Sequence, residues 1–226
     1  FSIHQKTGQV KELGKLPTDL QDIYGFCMYQ NRQGDTFAIP NDKNGTFVQY
    51  KIQNNSKGLT AQEVRRFKVA SQPEGCVVDD ENDRIYVGEE AKAVWTTKLN
   101  DPQQINLQNV ISVGEHVKAD VEGLAIYKGK VRDYLVISSQ GDDSYVVVDA
   151  EAPYQLRGKF KISANLNSEI DAVSETDGLE VTSANLGGVW KQGMLVVQDG
   201  RKRMPEGNQN YKYVAWEKIA QALGLE

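Results

Sequence analysis

Apolar and polar residues alternate along this chain in short runs, the period-two pattern of β-strands. Clusters of Gly, Asn and Asp separate the runs, as in Asn41-Asp-Lys-Asn-Gly45 and Gln140-Gly-Asp-Asp143. Four runs share one opening. Tyr24-Gly-Phe-Cys-Met-Tyr29, Glu74-Gly-Cys-Val-Val-Asp79, Glu122-Gly-Leu-Ala-Ile-Tyr127 and Asp177-Gly-Leu-Glu-Val181 each place a tyrosine or an acid, then glycine, before an apolar stretch. Their starts (24, 74, 122 and 177) lie 50, 48 and 55 residues apart. A second strand is predicted after each, at 36–39, 84–87, 134–138 and 194–197. A third follows at 47–52, 93–97, 145–149 and 211–216, and the first three repeats close with a fourth at 64–69, 108–113 and 156–162.

Four short strands repeated at such a period predict blades, and hence an all-β propeller of four-stranded antiparallel blades. Segments 1–3 and 10–13 read as the last two strands of an earlier blade. Past Trp216 the period changes: Trp216, Ile219, Ala220 and Leu223 are spaced as one face of a short C-terminal helix. No Pro/Gly/Ser-rich linker divides the chain, so residues 1–226 are expected to be one propeller domain. A ring needs every blade packed between two neighbours, so N-terminal blades are expected to be missing upstream, or the ring completed in another way.

In a propeller the first strand of each blade lines the central channel. Tyr24, Glu74, Glu122 and Asp177, with Asp120 two residues before Glu122, are therefore expected to gather at one face. Carboxylates so gathered repel one another, and a multivalent cation relieves the repulsion. The glycine after each acid permits close backbone approach. One Asp-Gly or Glu-Gly pair alone is an ordinary turn signal; repetition at blade spacing is what singles these out. Glu89-Glu90, Asp142-Asp143 and Asp199 end second strands, where a turn or a solvated edge is the default, as it is for Lys43.

The remaining composition narrows the chemistry. Hydrophobic residues make up 39% and charged residues 25%, the range of an ordinary folded domain. A net charge of −5 argues against a nucleic-acid partner, and the one basic triplet, Arg201-Lys-Arg203, reads as a solvated loop or an anion contact. The apolar runs are too short to span a membrane, and no leader peptide is visible. With no CxxC and only His4 and His116, a Cys/His zinc site and a Ser–His–Asp triad are both disfavoured. Hard, oxygen-bound calcium or magnesium fits better. Cys27 and Cys76 stand three and two residues after Tyr24 and Glu74, which predicts opposite strand faces and two buried thiols.

At these residues the chain resembles the β-propeller phytases, the calcium-dependent alkaline phytases. The resemblance is carried by an ordered set of motifs along nearly the whole chain. They are Tyr24-Gly-Phe26, Gln72-Pro-Glu-Gly75, Asp79-Asp-Glu81, Gly88-Glu-Glu90, Ala93-Val-Trp95, Asp120-Val-Glu-Gly-Leu124, Ser138-Ser-Gln-Gly141, Glu175-Thr-Asp-Gly178, Val197-Gln-Asp-Gly200 and Asn208-Gln-Asn-Tyr-Lys212 leading to Trp216-Glu217.

The resemblance implies a six-bladed propeller, of which this chain covers the C-terminal four blades. It also implies a secreted, extracellular or periplasmic hydrolase of the 3-phytase type that releases phosphate from phytate, myo-inositol hexakisphosphate, taken as its calcium complex. Calcium ions are then held by Glu74, Glu90, Asp120, Glu122 and Asp177, with Asp171 as a further ligand and Gln198 and Asp199 at a structural calcium site. Glu74, Glu122, Asp177 and Tyr24 form the catalytic set, and Tyr24 and Lys43 contact substrate. Three departures stand beside this. Nothing in residues 1–23 matches the family's aspartate-rich segments and phosphate-binding arginine, Asn44 replaces an expected carboxylate, and the loop after Asp199 is basic. The alternative reading is an incomplete, non-catalytic propeller that binds a ligand or assists a neighbouring complete domain. A calcium-dependent lactonase is a third.

Overall fold

The computed structural model describes all residues except Ser56, Lys57, Pro102, Gln104 and Glu226. Three four-stranded antiparallel sheets follow one another along the chain. The first holds β3 (Ile23–Gln30), β4 (Thr36–Asp42), β5 (Thr46–Asn55) and β6 (Gly58–Lys68), in that order. The second holds β7 (Pro73–Asp79), β8 (Arg84–Glu89), β9 (Ala93–Lys98) and β10 (Gln108–Ser112). The third holds β11 (Val121–Tyr127), β12 (Tyr134–Ser139), β13 (Ser144–Asp149) and β14 (Leu156–Phe160). A fourth sheet has three strands, β15 (Leu179–Thr182), β16 (Met194–Asp199) and β17 (Asn210–Ala215), and runs into helix α1 (Trp216–Leu223). These are propeller blades, each a meander from its first strand outward. Before them, β1 (Ser2–Ile3) and β2 (Val10–Lys11) pair as a two-stranded sheet of their own. Trp216 begins the helix instead of ending the last strand.

Alternation along each strand feeds two cores at once. In the third blade Leu124, Ile126, Leu135 and Ile137 point into an apolar layer shared with Tyr86 and Val94 of the second blade. Their neighbours Ala125, Tyr127, Tyr134 and Val136 point the other way, against Val181, Leu195 and Val197 of the fourth blade and Trp216 and Ile219 of α1. A strand buried on both faces is largely apolar, and all seven residues of β11 are buried, Glu122 being its one charged residue. Trp216 stacks on Tyr127, ring centroids 3.8 Å apart, and so fastens α1 over the outer part of the last two blades.

The layer between the first two blades corrects the expectation for the cysteines. Cys27 and Cys76 form a disulfide, with Cα atoms 6.0 Å apart. They do face opposite ways on their strands. Blades stack front to back, however, so opposite faces of adjacent first strands look at each other, and both cysteines border the core that contains Tyr29, Ile39, Ile85 and Val87.

Candidate active site

In the first three blades the repeated opening is a β-bulge. Pairing of β3 with β4 steps from Ile23↔Asp42 to Phe26↔Pro40, that of β7 with β8 from Pro73↔Glu89 to Cys76↔Val87, and that of β11 with β12 from Val121↔Ser139 to Leu124↔Ile137. Each step inserts one extra residue into the first strand, at Tyr24-Gly25, Glu74-Gly75 and Glu122-Gly123. A bulge breaks the alternation and re-aims a side chain. Here it turns the tyrosine and the two glutamates away from the sheet ladder. Asp177 lies two residues before β15, and its backbone is fixed from the third blade and from its own: Gly123 N–H donates to Asp177 O (2.7 Å) and Asp177 N–H to Gln198 Oε1 of β16 (2.9 Å).

The glycines are required by approach between blades. A Cβ on Gly25 would lie 2.2 Å from Glu74 O, one on Gly75 2.0 Å from Glu122 O, and one on Gly123 2.8 Å from Asp177 O. Each glycine thus seats the backbone of the next blade's acid. Gly178 has open space at that position.

The result is a cluster in which carboxylate oxygens of Glu74, Glu90 and Glu122 lie within 4.8 Å of one another. Glu90 comes from the turn after β8 and is aimed by Gln72, whose Nε2 donates to its Oε1 at 2.6 Å. Gln140 Nε2 donates likewise to Asp177 Oδ1 at 2.7 Å. Among the described residues, no ion pair joins Glu74, Glu90, Asp120, Glu122 or Asp177 to a protein cation. Glu122 is buried, and its Oε2 has no hydrogen-bond partner.

Electrostatics follow. Burial, a hydrogen bond with Glu74 and the charges of Glu74, Glu90 and Asp177 push Glu122 up to about 10. Glu90 rises through burial and the charges of Glu74 and Asp120, against the pull of Gln72. Asp177 rises through burial and Glu74, against Gln140. Burial and four carboxylates (Glu74, Glu90, Glu122 and Asp177) hold the Tyr24 phenol up at about 12. Lys43 Nζ stands 4.6 Å above the Tyr24 ring and 3.7 Å from Asp22.

A second series of carboxylates behaves in the opposite way. Asp42, Glu89, Asp142 and Asp199 sit at or just past the ends of second strands, one per blade, and donors surround each. Asp42 accepts backbone N–H groups of Gln21, Asp22 and Asn44. Glu89 accepts from Ser71 Oγ and Trp95 Nε1, and Asp142 from Ser139, Ser144 and Lys159. Asp199 takes the Ser174 N–H and the Lys212 ammonium. These bonds lower Asp42, and against the cost of burial they also lower Glu89 and Asp142. Asp42, Glu89 and Asp199 thereby pin the loop that leads into the first strand of their blade, whereas Asp142 bonds only groups on the later strands of its own blade.

Tyr24, Glu74, Glu90, Asp120, Glu122 and Asp177 are therefore brought to one place, with Lys43 at its edge. Asp171 and Asp199 stand apart from them: both are buried and share Lys212, whose Nζ is 2.7 Å from Asp171 Oδ1. The Lys212 bond and the Arg203 backbone N–H lower Asp171 to about 2. Gln198 supports the Asp177 backbone through its Oε1. Sequence reasoning assigned no role to Gln72 or Gln140, although both lie inside quoted motifs. A glutamine beside an acid-bearing turn was the available signal.

Bulged first strands that focus unpaired carboxylates at the blade tops define a β-propeller with an acidic, oxygen-donor centre. The chain matches the phytase family model over residues 1–226 and belongs to the phytase family. It is 39% identical over 241 aligned positions to the 3-phytase of Bacillus subtilis (strain 168), a match that covers 99% of this chain and 61% of that relative.

Proposed function

We propose that this chain binds calcium in the Glu74–Glu90–Glu122 cluster and hydrolyses phosphate monoesters of phytate. The carrying observation is Glu122 Oε2, a buried carboxylate oxygen without a partner beside two further carboxylates. Leaving such a group unpaired is costly, and a hard cation satisfies it. Glu74, Glu90, Glu122 and Asp177, with Asp120 near Glu90, would hold the metal. Bound there, calcium supplies Lewis-acid polarisation of phosphate and acidifies a water for attack on phosphorus.

The protein's own groups complete the site. The Tyr24 phenol stays protonated at working pH and can donate to a phosphate oxygen. Lys43 presents an ammonium to the same region, and Tyr24 and the Asp22 carboxylate restrain it. Gln72 and Gln140 each occupy one oxygen of their carboxylate and so fix the direction of the other. Asp171 and Asp199 already have Lys212 as counter-ion, which supports a structural role for them, with Gln198 buttressing Asp177 from the same strand end.

The Cys27–Cys76 disulfide supports an oxidising, extracellular or periplasmic setting. Among the described residues, no helix is long and apolar enough to cross a membrane.

The test is phosphate release from phytate by this chain in calcium and in chelator, beside calorimetric calcium titration. Calcium-dependent release and calcium binding are expected, both lost in Glu122→Gln while the fold is kept. Calcium binding without release would leave a binding module, and the absence of both would refute the site.

A further inference from the structure

We infer that Arg201 forms an anion subsite at the rim of the carboxylate cluster, one that contacts an outer phosphate of a multiply phosphorylated ligand. The inference rests on the phytate reading of that site. In an acidic chain Arg201-Lys-Arg203 is the one basic triplet, and the fold gives its members different tasks. Lys202 Nζ folds back onto Pro205 O, and Arg203 uses its backbone N–H on Asp171. The Arg201 guanidinium stays exposed, paired side-on with Glu175: Nε to Oε2 at 2.8 Å and Nη2 to Oε1 at 2.5 Å.

Glu175 lies two residues before Asp177 in the segment that enters β15. Arg201 therefore stands one carboxylate outward from the cluster, on the side of the last blade. Its base is fixed. Gly200 N–H donates to Ser174 O at 2.8 Å, and a Cβ on Gly200 would lie 2.7 Å from Glu175 O. Lys43, over Tyr24, stands on the side of the first blade. The two cations thus flank the carboxylates from opposite ends of the blade array.

An exposed Arg–Glu pair is worth little, and it can be exchanged for a stronger partner. A phosphate dianion matches the guanidinium fork and carries more charge than the glutamate. In a ring bearing six phosphates, those not under attack need such contacts outside the metal centre.

The test compares the parent chain with Arg201→Gln and Arg201→Lys. The readouts are calorimetric binding of myo-inositol hexakissulfate, a non-hydrolysable polyanion, in saturating calcium; phytate kinetics; and calcium affinity. Arg201→Gln is expected to weaken hexakissulfate binding and raise KM about tenfold, with kcat changed less than about twofold and calcium affinity unchanged. Arg201→Lys should recover part of the loss. Unchanged binding and KM in Arg201→Gln would overturn the subsite, and so would a fall in calcium affinity, which would make Arg201 a support for Glu175 instead. A parent that binds hexakissulfate but releases no phosphate would refute the hydrolase reading, and Arg201 would still be judged on binding. A parent that does neither would overturn both.

Discussion

Replacing Gly75 by alanine should open the site from beneath. The new Cβ would fall 2.0 Å from Glu122 O and 2.8 Å from its carbonyl carbon, where contacts under 3.0 Å are essentially never seen. At least 1 Å of separation must appear between β7 and β11, and both sides of the contact are backbone. Over-packing of this kind costs about 1–3 kcal/mol when side chains can yield, so the upper end, about 3 kcal/mol, is expected. The displaced strands carry Glu74 and Glu122, and a shift of about 1 Å at reacting groups costs on the order of 100-fold in turnover. Gly178→Ala is the matched control. It is the same substitution after an acid, yet its Cβ meets nothing within 4 Å, and its φ lies outside the left-handed region. It should be neutral or stabilise by up to about 1 kcal/mol through the unfolded chain. Gly25→Ala should resemble Gly75→Ala, and Gly123→Ala should lie between. Urea unfolding in chelator gives the stability order, and phosphate release in calcium gives the functional one. If Gly75→Ala unfolds within about 0.5 kcal/mol of the parent, or Gly178→Ala is equally damaging, the seating of each acid on the previous glycine is wrong.

Three other outcomes are expected. Glu122 is raised in the folded state from the usual 4.5 to about 10, so the folded protein holds an extra proton. In chelator, stability present below about pH 4.5 should decline as pH climbs toward 10, by at most about 1.4 kcal/mol per pH unit, while calcium affinity rises over the same range. Thermal melts from pH 6 to 9 check this, and a flat profile in chelator counts against it. Cys27→Ser with Cys76→Ser removes a link between residues 49 apart in sequence, which loop-closure entropy values at about 4 kcal/mol; two titratable thiols in the native, non-reduced protein would contradict the bond. Lys212→Met strands buried Asp171 and Asp199 without their shared cation and should cost about 3–5 kcal/mol in urea unfolding.

The two carboxylate series explain why charge content alone could not locate the site. Glu89 and Glu90 are adjacent, both acidic and both at a second-strand end. Glu89 receives Ser71, Trp95 and Lys92, whereas Glu90 receives one amide and faces two more glutamates. Which of the two is satisfied depends on side chains that arrive from elsewhere in the blade and from its neighbours.

Local pattern determined the blades. Period-two alternation, turn residues and the repeated acid-Gly opening marked every strand of the four blades, the missing fourth strand of the last sheet and the change to helical spacing at Trp216. Those features are properties of segments a few residues long, and burial on both faces of each strand reinforces them. The repeat also pointed to Tyr24, Glu74, Glu122 and Asp177, because equivalent positions in a radial array must converge. What sequence could not supply was the relation between blades. Strand parity put Cys27 and Cys76 on opposite faces, and only front-to-back stacking turned that into a bond. The extra residue at the first three openings appears only once the strands are paired in register, and the purpose of Gly25, Gly75 and Gly123 only once the next blade is in place. That Asp171 and Asp199 share the Lys212 ammonium follows only from the pairing of β16 with β17 and the approach of the loop before β15. Such contacts join residues through space, and no local pattern encodes them.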